Sequence, residues 1–289
     1  MSCAGQLEAY RPALGGPVVF NKPTNGRAYT PIQLPCGQCI LCRLEHARQW
    51  AVRITHEAQL WETSSFITLT YDDEHLPNQG SLDYSHLQKF WKRLRKARGP
   101  LRYYAVGEYG DNTLRPHYHA CVFGHAFTEN RLILRTEPTM LWTSPQLNDA
   151  WGMGHVSVGA LTFQTAQYTA SYVTKKLNNK RRYVTVNEET GELEPLIQPR
   201  AFMSLRPAIG RDWLDLHGKA VYDHDRVIIN GTAQKPPKYY DRWLEKIDES
   251  KAETIKIRRR KQIRHLSKEQ THARARNAHA RAKIKSKSV

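Results

Sequence analysis

The chain reads as an α+β protein: a central antiparallel sheet with helices packed on it, followed by a basic tail that is helical or disordered. Three features carry this. Short segments such as Phe66–Tyr71 and His155–Ala160 alternate apolar and polar residues and are rich in β-branched and aromatic types, as half-buried strands are. Between them lie segments whose apolar residues recur every three or four positions, the spacing of an amphipathic helix. Two further strand-like runs, Leu101–Glu108 and His117–Gly124, are joined by residues 109–116, where Gly110, Asp111, Asn112 and Pro116 favour a turn and hence antiparallel neighbours. With 289 residues, 40% of them hydrophobic, the chain is long enough for one large core or two small ones.

In chain order, residues 1–38 are rich in Gly, Pro and Asn and read as extended loop. Leu41–Trp61 carries Leu44, Ala47, Ala51, Ile54, Ala58 and Trp61 at helical spacing. Phe66–Tyr71 is a strand and residues 72–80 a polar turn region. Tyr84–Ala97 is a basic amphipathic helix with Leu87, Phe90, Trp91 and Leu94 inward and Lys89, Lys92, Arg93, Arg95 and Lys96 mostly outward. After the hairpin around Glu108 and His117, residues 125–142 carry no usable motif. A short helix is predicted over Pro145–Trp151, a strand over His155–Ala160 and a helix over Phe163–Leu177. Asn187–Pro199 reads as a loop, Val221–Ile229 as a hairpin turning at Asp223–Asp225, and Lys238–Glu245 as the start of a helix. The helices are expected on one face of the sheet. The expected division is 1–60 (loop, cysteine cluster and helix), 61–183 (core), 184–247 (an elaboration packed on the core) and 248–289 (basic tail).

Charge points to a polyanionic partner. The formal net charge is +17, and residues 250–289 hold 14 Lys or Arg against 2 Glu, a net of +12 in one short arm. The arm lacks an apolar stripe, and no Trp or Phe follows Trp243, which disfavours membrane-surface binding. No apolar run approaches bilayer length and no signal pattern opens the chain, so a cytoplasmic protein is expected. A Gly-x-x-x-x-Gly-Lys-Ser/Thr loop is absent, which excludes a P-loop ATPase.

The five cysteines are few, odd in number and clustered, unlike a secreted disulfide framework. Cys36, Cys39 and Cys42, with Cys3, offer four thiolates for structural Zn2+. Two other readings stay open: an iron–sulfur cluster, disfavoured because the usual Cys-Pro is missing downstream, and reduced, unliganded thiols at the start of a helix. Cys121, within an apolar strand, reads as core.

Alternation along a strand puts His117 and His119 on one face and Tyr118 on the other. If the turn closes an antiparallel pair, Glu108 faces His117 across the ladder, and two imidazoles and a carboxylate converge as metal ligands. Alone, His-x-His is more often a pair of surface histidines on an edge strand. Further on, Tyr168 and Tyr172 lie four apart and share a helix face, with Lys175 and Lys176 following. A phenol has a pKa near 10 and needs a neighbour to stabilise its anion before it attacks. Two core aromatics are the plain alternative.

Read together, the strand Phe66–Tyr71, then Glu108 with His117 and His119, then Tyr-x-x-x-Tyr-x-x-Lys resemble the HUH endonuclease superfamily, whose core is HUH/RRM-like. Cys36–Arg43, Phe66–Tyr71, Arg115–His119, Tyr168–Lys176, Phe202–Trp213 and Lys235–Tyr240 resemble, more narrowly, the replication initiation proteins of gokushoviruses, single-stranded DNA phages of the Microviridae. The likeness covers most of residues 36–245. It implies a rolling-circle initiator that nicks and rejoins single-stranded origin DNA, leaving a 5′-phosphotyrosine link and a free 3′-OH. Residues 61–183 would be the nuclease core. Glu108, His117 and His119 would hold Mg2+ or Mn2+. Tyr172 and Tyr168 would be the nucleophiles, with Lys175 as their phosphate or phenolate partner. Thr70 and Tyr71 would line the site. Arg115, Lys176, Arg258, Arg259 and Arg260 are the expected DNA contacts. Host helicase and polymerase are the implied partners, and host bacterial cytoplasm the implied location. The rival readings are a non-enzymatic DNA-binding or packaging protein and a phosphodiesterase that uses metal-activated water.

Overall fold

The computed structural model describes residues 3–24, 28–110, 113–129, 131–137, 139–175, 183–187, 190–263 and 266–287, with backbone alone at 173–175 and 283–287. Two compact units result: residues 1–46 with 256–289, and residues 47–255.

In the first unit, β1 (Leu7–Pro12) and β2 (Tyr29–Leu34) form an antiparallel pair running from Leu7↔Leu34 to Pro12↔Tyr29. The extended-loop reading of residues 1–38 is thereby corrected. Pro12 and Pro31 break the alternation expected of strands, yet a two-stranded ribbon leaves outer edges where a missing N–H costs little. The helix α1 (Ile40–Ala58) begins in this unit and continues into the second.

The second unit is built on a seven-stranded sheet. Its elements are β3 (Ser64–Tyr71), α2 (Tyr84–Arg98), β4 (Arg102–Tyr109), β5 (Pro116–Phe123), β6 (Leu132–Arg135), β7 (Leu141–Thr143), α3 (Pro145–Trp151), β8 (Gly154–Ala160), α4 (Phe163–Lys175), β9 (Val184–Val186), β10 (Leu193–Pro195), β11 (Ala201–Met203), α5 (Arg211–His224), β12 (Val227–Ile229), β13 (Thr232–Gln234) and α6 (Lys238–Ile247). The order across the sheet is β11–β4–β5–β3–β8–β7–β6, all antiparallel. Two further helices follow, α7 (Glu249–Lys261) and α8 (Lys268–Lys287), so the described part of the tail is helical.

Alternation in β3 shows how the sheet is used. Ser65, Ile67, Leu69 and Tyr71 are buried, while Phe66, Thr68 and Thr70 are half-buried on the other face. The first face packs against Leu87, Phe90, Trp91 and Leu94 of α2 and against Leu147 and Trp151 of α3. The second meets Ala47, Ala51 and Ile54 of α1 and Ala166, Ala170 and Tyr172 of α4. Helices therefore cover both faces, not one. The reason is visible in β5, where Ala120, Cys121, Val122 and Phe123 are all fully buried, the continuous apolar run of a strand covered on both sides.

Local signals set the helix ends. Asp83 caps α2 by accepting the Ser85 N–H at 2.8 Å. Thr162 and Thr165 cap α4 reciprocally, each backbone N–H donating to the other's hydroxyl, at 2.8 and 3.1 Å.

Three expectations fail in this unit. The hairpin predicted over Val221–Ile229 is the end of α5: Leu214, Gly218, Val221 and Tyr222 form one buried helical stripe, and the helix stops at Asp225, whose φ is 51°. Residues 125–142 contain β6 and β7, and the loop predicted over 187–199 contains β10, paired with β9. These strands are only three or four residues long, too short for alternation to show.

Candidate functional site

The ladder places the site. Glu108 of β4 pairs with His117 of β5, and Val106 with His119. Across the other edge of β5, Thr70 faces His117 and Thr68 faces His119. Glu108, His117 and His119 thus share one face, the face covered by α4.

Both imidazole Nε2 atoms approach the same carboxylate oxygen, Glu108 Oε2, at 3.4 Å from His117 and 3.3 Å from His119. One ligand atom from each residue lies within 4.8 Å of the others. Their orientation is set from behind. His117 Nδ1 donates to the Arg115 carbonyl at 3.1 Å, because a carbonyl only accepts. In the neutral ring that leaves the Nε2 lone pair facing a carboxylate, a meeting of two acceptors that a cation between them resolves. His119 Nδ1 meets the Thr68 hydroxyl at 3.0 Å, a partner behind the ligand that fixes the ring. Burial raises the Glu108 pKa, but hydrogen bonds from His117 and His119 outweigh it and hold the carboxyl down at about 2. Two nitrogens and one carboxylate oxygen with room for further ligands suit Mn2+ or Mg2+.

The tyrosines lie against this cluster. The Tyr172 ring stacks on the His119 imidazole, and Tyr168 meets that imidazole edge-on at 5.4 Å. The two phenol rings are 4.6 Å apart at 89°. Tyr172 is buried and hydrogen-bonded to Glu108 and Tyr168. Burial first, and then the Glu108 charge, pushes its phenol pKa up. Tyr168 is half-buried. Beneath α4, Cys121 is fully buried beside the Thr169 hydroxyl, 3.8 Å away.

The structure brings together Glu108, His117, His119, Tyr168 and Tyr172 and treats the other sequence-derived residues differently. Lys175 ends α4, with only its backbone described, and Lys176 lies outside the described residues. Arg115 spends its guanidinium on the Tyr71 carbonyl at 2.9 Å and on Asp73 at 2.8 Å. Arg258, Arg259 and Arg260 occupy the last turn of α7. Thr70 faces the site, but Tyr71 does not: neighbours on a strand point to opposite faces, and Tyr71 is buried among the α2 side chains.

Sequence reasoning missed the residues behind the histidines. Tyr118 donates its hydroxyl proton to the Asp83 carbonyl at 2.6 Å and accepts the Asp83 N–H at 3.0 Å. Its remaining lone pair takes the Tyr71 hydroxyl at 3.0 Å. A tyrosine between two histidines is the one signal that pointed there. Cys3, Cys36, Cys39 and Cys42 come together in the first unit, their sulfurs within 4.8 Å of one another.

An antiparallel sheet with Glu, His and His on one face and a tyrosine-bearing helix against them defines the HUH/RRM-like class. The family profile for the replication-associated protein ORF2 group matches residues 64–177. Over 85% of the chain and 78% of the relative, the sequence is 32% identical to replication-associated protein VP4 of Bdellovibrio phage phiMH2K. It is also 32% identical to replication-associated protein ORF2 of Spiroplasma virus 4, over 90% of the chain and 86% of the relative. Replication-associated protein ORF4 of Chlamydia phage 1 is 30% identical over 74% of the chain and 54% of the relative. No solved structure matches. The chain belongs to this family, the gokushovirus replication initiation proteins of the Microviridae. Among the described residues no helix is long and apolar enough to cross a membrane.

Proposed function

We propose that the chain nicks and rejoins single-stranded DNA at a phage origin by tyrosine transesterification, as an HUH-type endonuclease and strand transferase. The observation that carries this is the Tyr172 hydroxyl bonded to Glu108 inside the Glu108–His117–His119 cluster. Held by those three residues, Mg2+ or Mn2+ supplies Lewis acidity to a non-bridging phosphate oxygen and neutralises charge there.

The chain's own residues do the rest. Glu108, ionised far below neutral pH, binds the cation, and the two imidazoles complete the ligand set with tautomers fixed by Arg115 and Thr68. A carboxylate committed to the cation no longer holds the Tyr172 proton in place, so the phenol loses the nearest charge opposing its ionisation. Tyr172 Oη attacks the scissile phosphorus and the P–O3′ bond breaks. The phosphorus becomes a 5′-phosphotyrosine ester and the 3′-oxygen takes up a proton. Rejoining is the reverse: a 3′-OH attacks, and the tyrosine leaves. Tyr168, half-buried beside Tyr172, serves as the second nucleophile when the regenerated origin is cut while the first 5′ end is still held. Lys175, within a turn of Tyr172, is the proposed phosphate partner.

The substrate is single-stranded or melted DNA because the nucleophile is embedded under α4, out of reach of a base-paired backbone. The free 3′-OH would prime a host polymerase in the bacterial cytoplasm, with a host helicase opening the duplex. The basic tail, Arg258 to Arg260 included, would add salt-sensitive affinity.

The test is incubation of the full chain with end-labelled single-stranded origin DNA and Mn2+, resolved on a denaturing gel. A covalent protein–DNA adduct is expected. Cleavage without an adduct would replace this reading with a water-using phosphodiesterase, and binding without cleavage with a non-enzymatic DNA-binding protein.

A further inference from the structure

The geometry points to a second metal centre of a different kind: we propose that Cys3, Cys36, Cys39 and Cys42 hold one Zn2+ as a structural four-thiolate site. It is independent of the nicking reaction and lies wholly within the first unit.

Sulfur spacing is the first observation. Cys3 Sγ lies 3.5 Å from Cys36 Sγ and 3.9 Å from Cys39 Sγ, and all four fall within 4.8 Å. A tetrahedron of thiolates on zinc has edges of about 3.8 Å, given Zn–S bonds of about 2.3 Å. The four cysteines are free, and 3.5 Å is far beyond a disulfide bond of about 2.05 Å. An iron–sulfur cluster places an inorganic core among its ligands and so holds cysteine sulfurs farther apart than one ion does. These four are packed for a single ion.

The backbone treats the sulfurs as acceptors. Cys36 N–H points at Cys3 Sγ and Cys39 N–H at Cys36 Sγ, each at 3.3 Å. Such N–H···S contacts orient thiolate ligands and stabilise their charge. The local chain is shaped for it. Gly37, with φ of 74°, turns the Cys36–Cys39 segment in a conformation that a side chain resists. The Arg43 N–H then donates to the Cys39 carbonyl at 3.0 Å, which puts Cys42 one turn along at the start of α1. The positive end of a helix favours thiolates there.

The position explains what the ion would do. Cys3 precedes β1 and Cys36 follows β2, so both flank the open end of the hairpin at Leu7↔Leu34. A two-stranded hairpin is marginal by itself in water. A metal across its open end ties residue 3 to residues 36–42 and couples ion binding to folding of this unit.

Cobalt is the probe. The full chain, stripped of metal under reducing conditions and titrated with Co2+, should take up one equivalent with intense thiolate-to-cobalt charge-transfer absorption and tetrahedral visible bands. One equivalent of Zn2+ should bleach both. His117→Ala should leave that spectrum unchanged, whereas Cys36→Ser combined with Cys39→Ser should abolish it. Absence of charge-transfer absorption in the unmutated chain overturns the proposal whatever the variants do. So does iron with labile sulfide in the protein as isolated, or zinc that is lost in His117→Ala and retained in the double cysteine variant.

Discussion

The Tyr172 ring lies on the His119 imidazole, centroids 5.3 Å apart and planes 21° from parallel. One aromatic stack thus joins the proposed nucleophile to a proposed metal ligand, and the Tyr172 hydroxyl continues the connection to Glu108. Neither end of this unit can be changed without loading the other.

Tyr172→Phe keeps the stack and removes the nucleophilic oxygen. Cleavage of single-stranded origin DNA should fall by about a hundredfold or more, while stability changes by only about 1 kcal/mol for the lost hydrogen bond. Tyr168→Phe with Tyr172→Phe should leave no adduct on a denaturing gel. An adduct that persists in the double variant sinks the assignment of both tyrosines.

His117→Ala should abolish cleavage yet leave DNA binding largely intact by gel shift. Thr68→Val acts one step back: it should weaken Mn2+ binding by about tenfold, the usual effect of losing a ligand's outer hydrogen bond. Titration followed by electron paramagnetic resonance reads this directly. Unchanged Mn2+ affinity in Thr68→Val would show that the contact to His119 does not orient the ring.

The basic tail is best tested by a cut the fold tolerates. Ala252 and Ile255 of α7 are buried in the core formed with Leu214, Tyr240 and Leu244, so truncation at residue 250 would damage packing as well as charge. Ending the chain at Lys261 removes eight Lys or Arg and spares that core. The slope of log affinity against log salt should become shallower. An unaltered slope would free the tail from any DNA role.

His56 sets an acid limit on stability. It is buried, stacked on Trp213 at 3.5 Å and bonded through Nδ1 to the Tyr240 hydroxyl at 2.8 Å. Burial, then repulsion from His217, pushes its pKa down to about 3. A depressed pKa means that the folded chain resists a proton the unfolded chain accepts. The contribution is therefore complete above pH 6.5 and is lost as pH falls from there towards 3. The loss is about 2 kcal/mol by pH 5, at about 1.4 kcal/mol per pH unit. His56→Gln should flatten urea-derived stability across that window, and a wild-type curve flat from pH 7 to 5 would refute the burial argument.

Legibility from sequence followed strength of periodicity. β3, α2, β5, α3 and α4 were readable within a residue or two at most ends, because each carries a regular apolar pattern and α2 also carries its cap, Asp83. The hairpin that pairs Glu108 with His117 was readable for the same reason, with a turn composition between two strands. The alternation rule that placed both histidines on one face also rules out Tyr71 beside Thr70. Applied to every residue of β3, it would have prevented that misplacement. Two-sided cover of the sheet was hidden because polar residues, Thr68 and the histidines, interrupt the second face where the site lies. The β1–β2 ribbon and α5 were missed where prolines and an apolar pair, Val221–Tyr222, imitated other structures.

Tyr118 has a consequence for how this strand finds its place. Shifting β5 by two residues would keep every side chain on its proper face and still bury an apolar set, so the hydrophobic pattern alone does not forbid it. Such a slip would carry the histidines about 7 Å along the sheet. It would equally strip the Tyr118 hydroxyl from Asp83 and Tyr71, leaving a phenol and a peptide group stranded in a dry interior. The three bonds on the hidden side therefore act as a proofreading device during assembly, rejecting the one misalignment that greasy packing would accept.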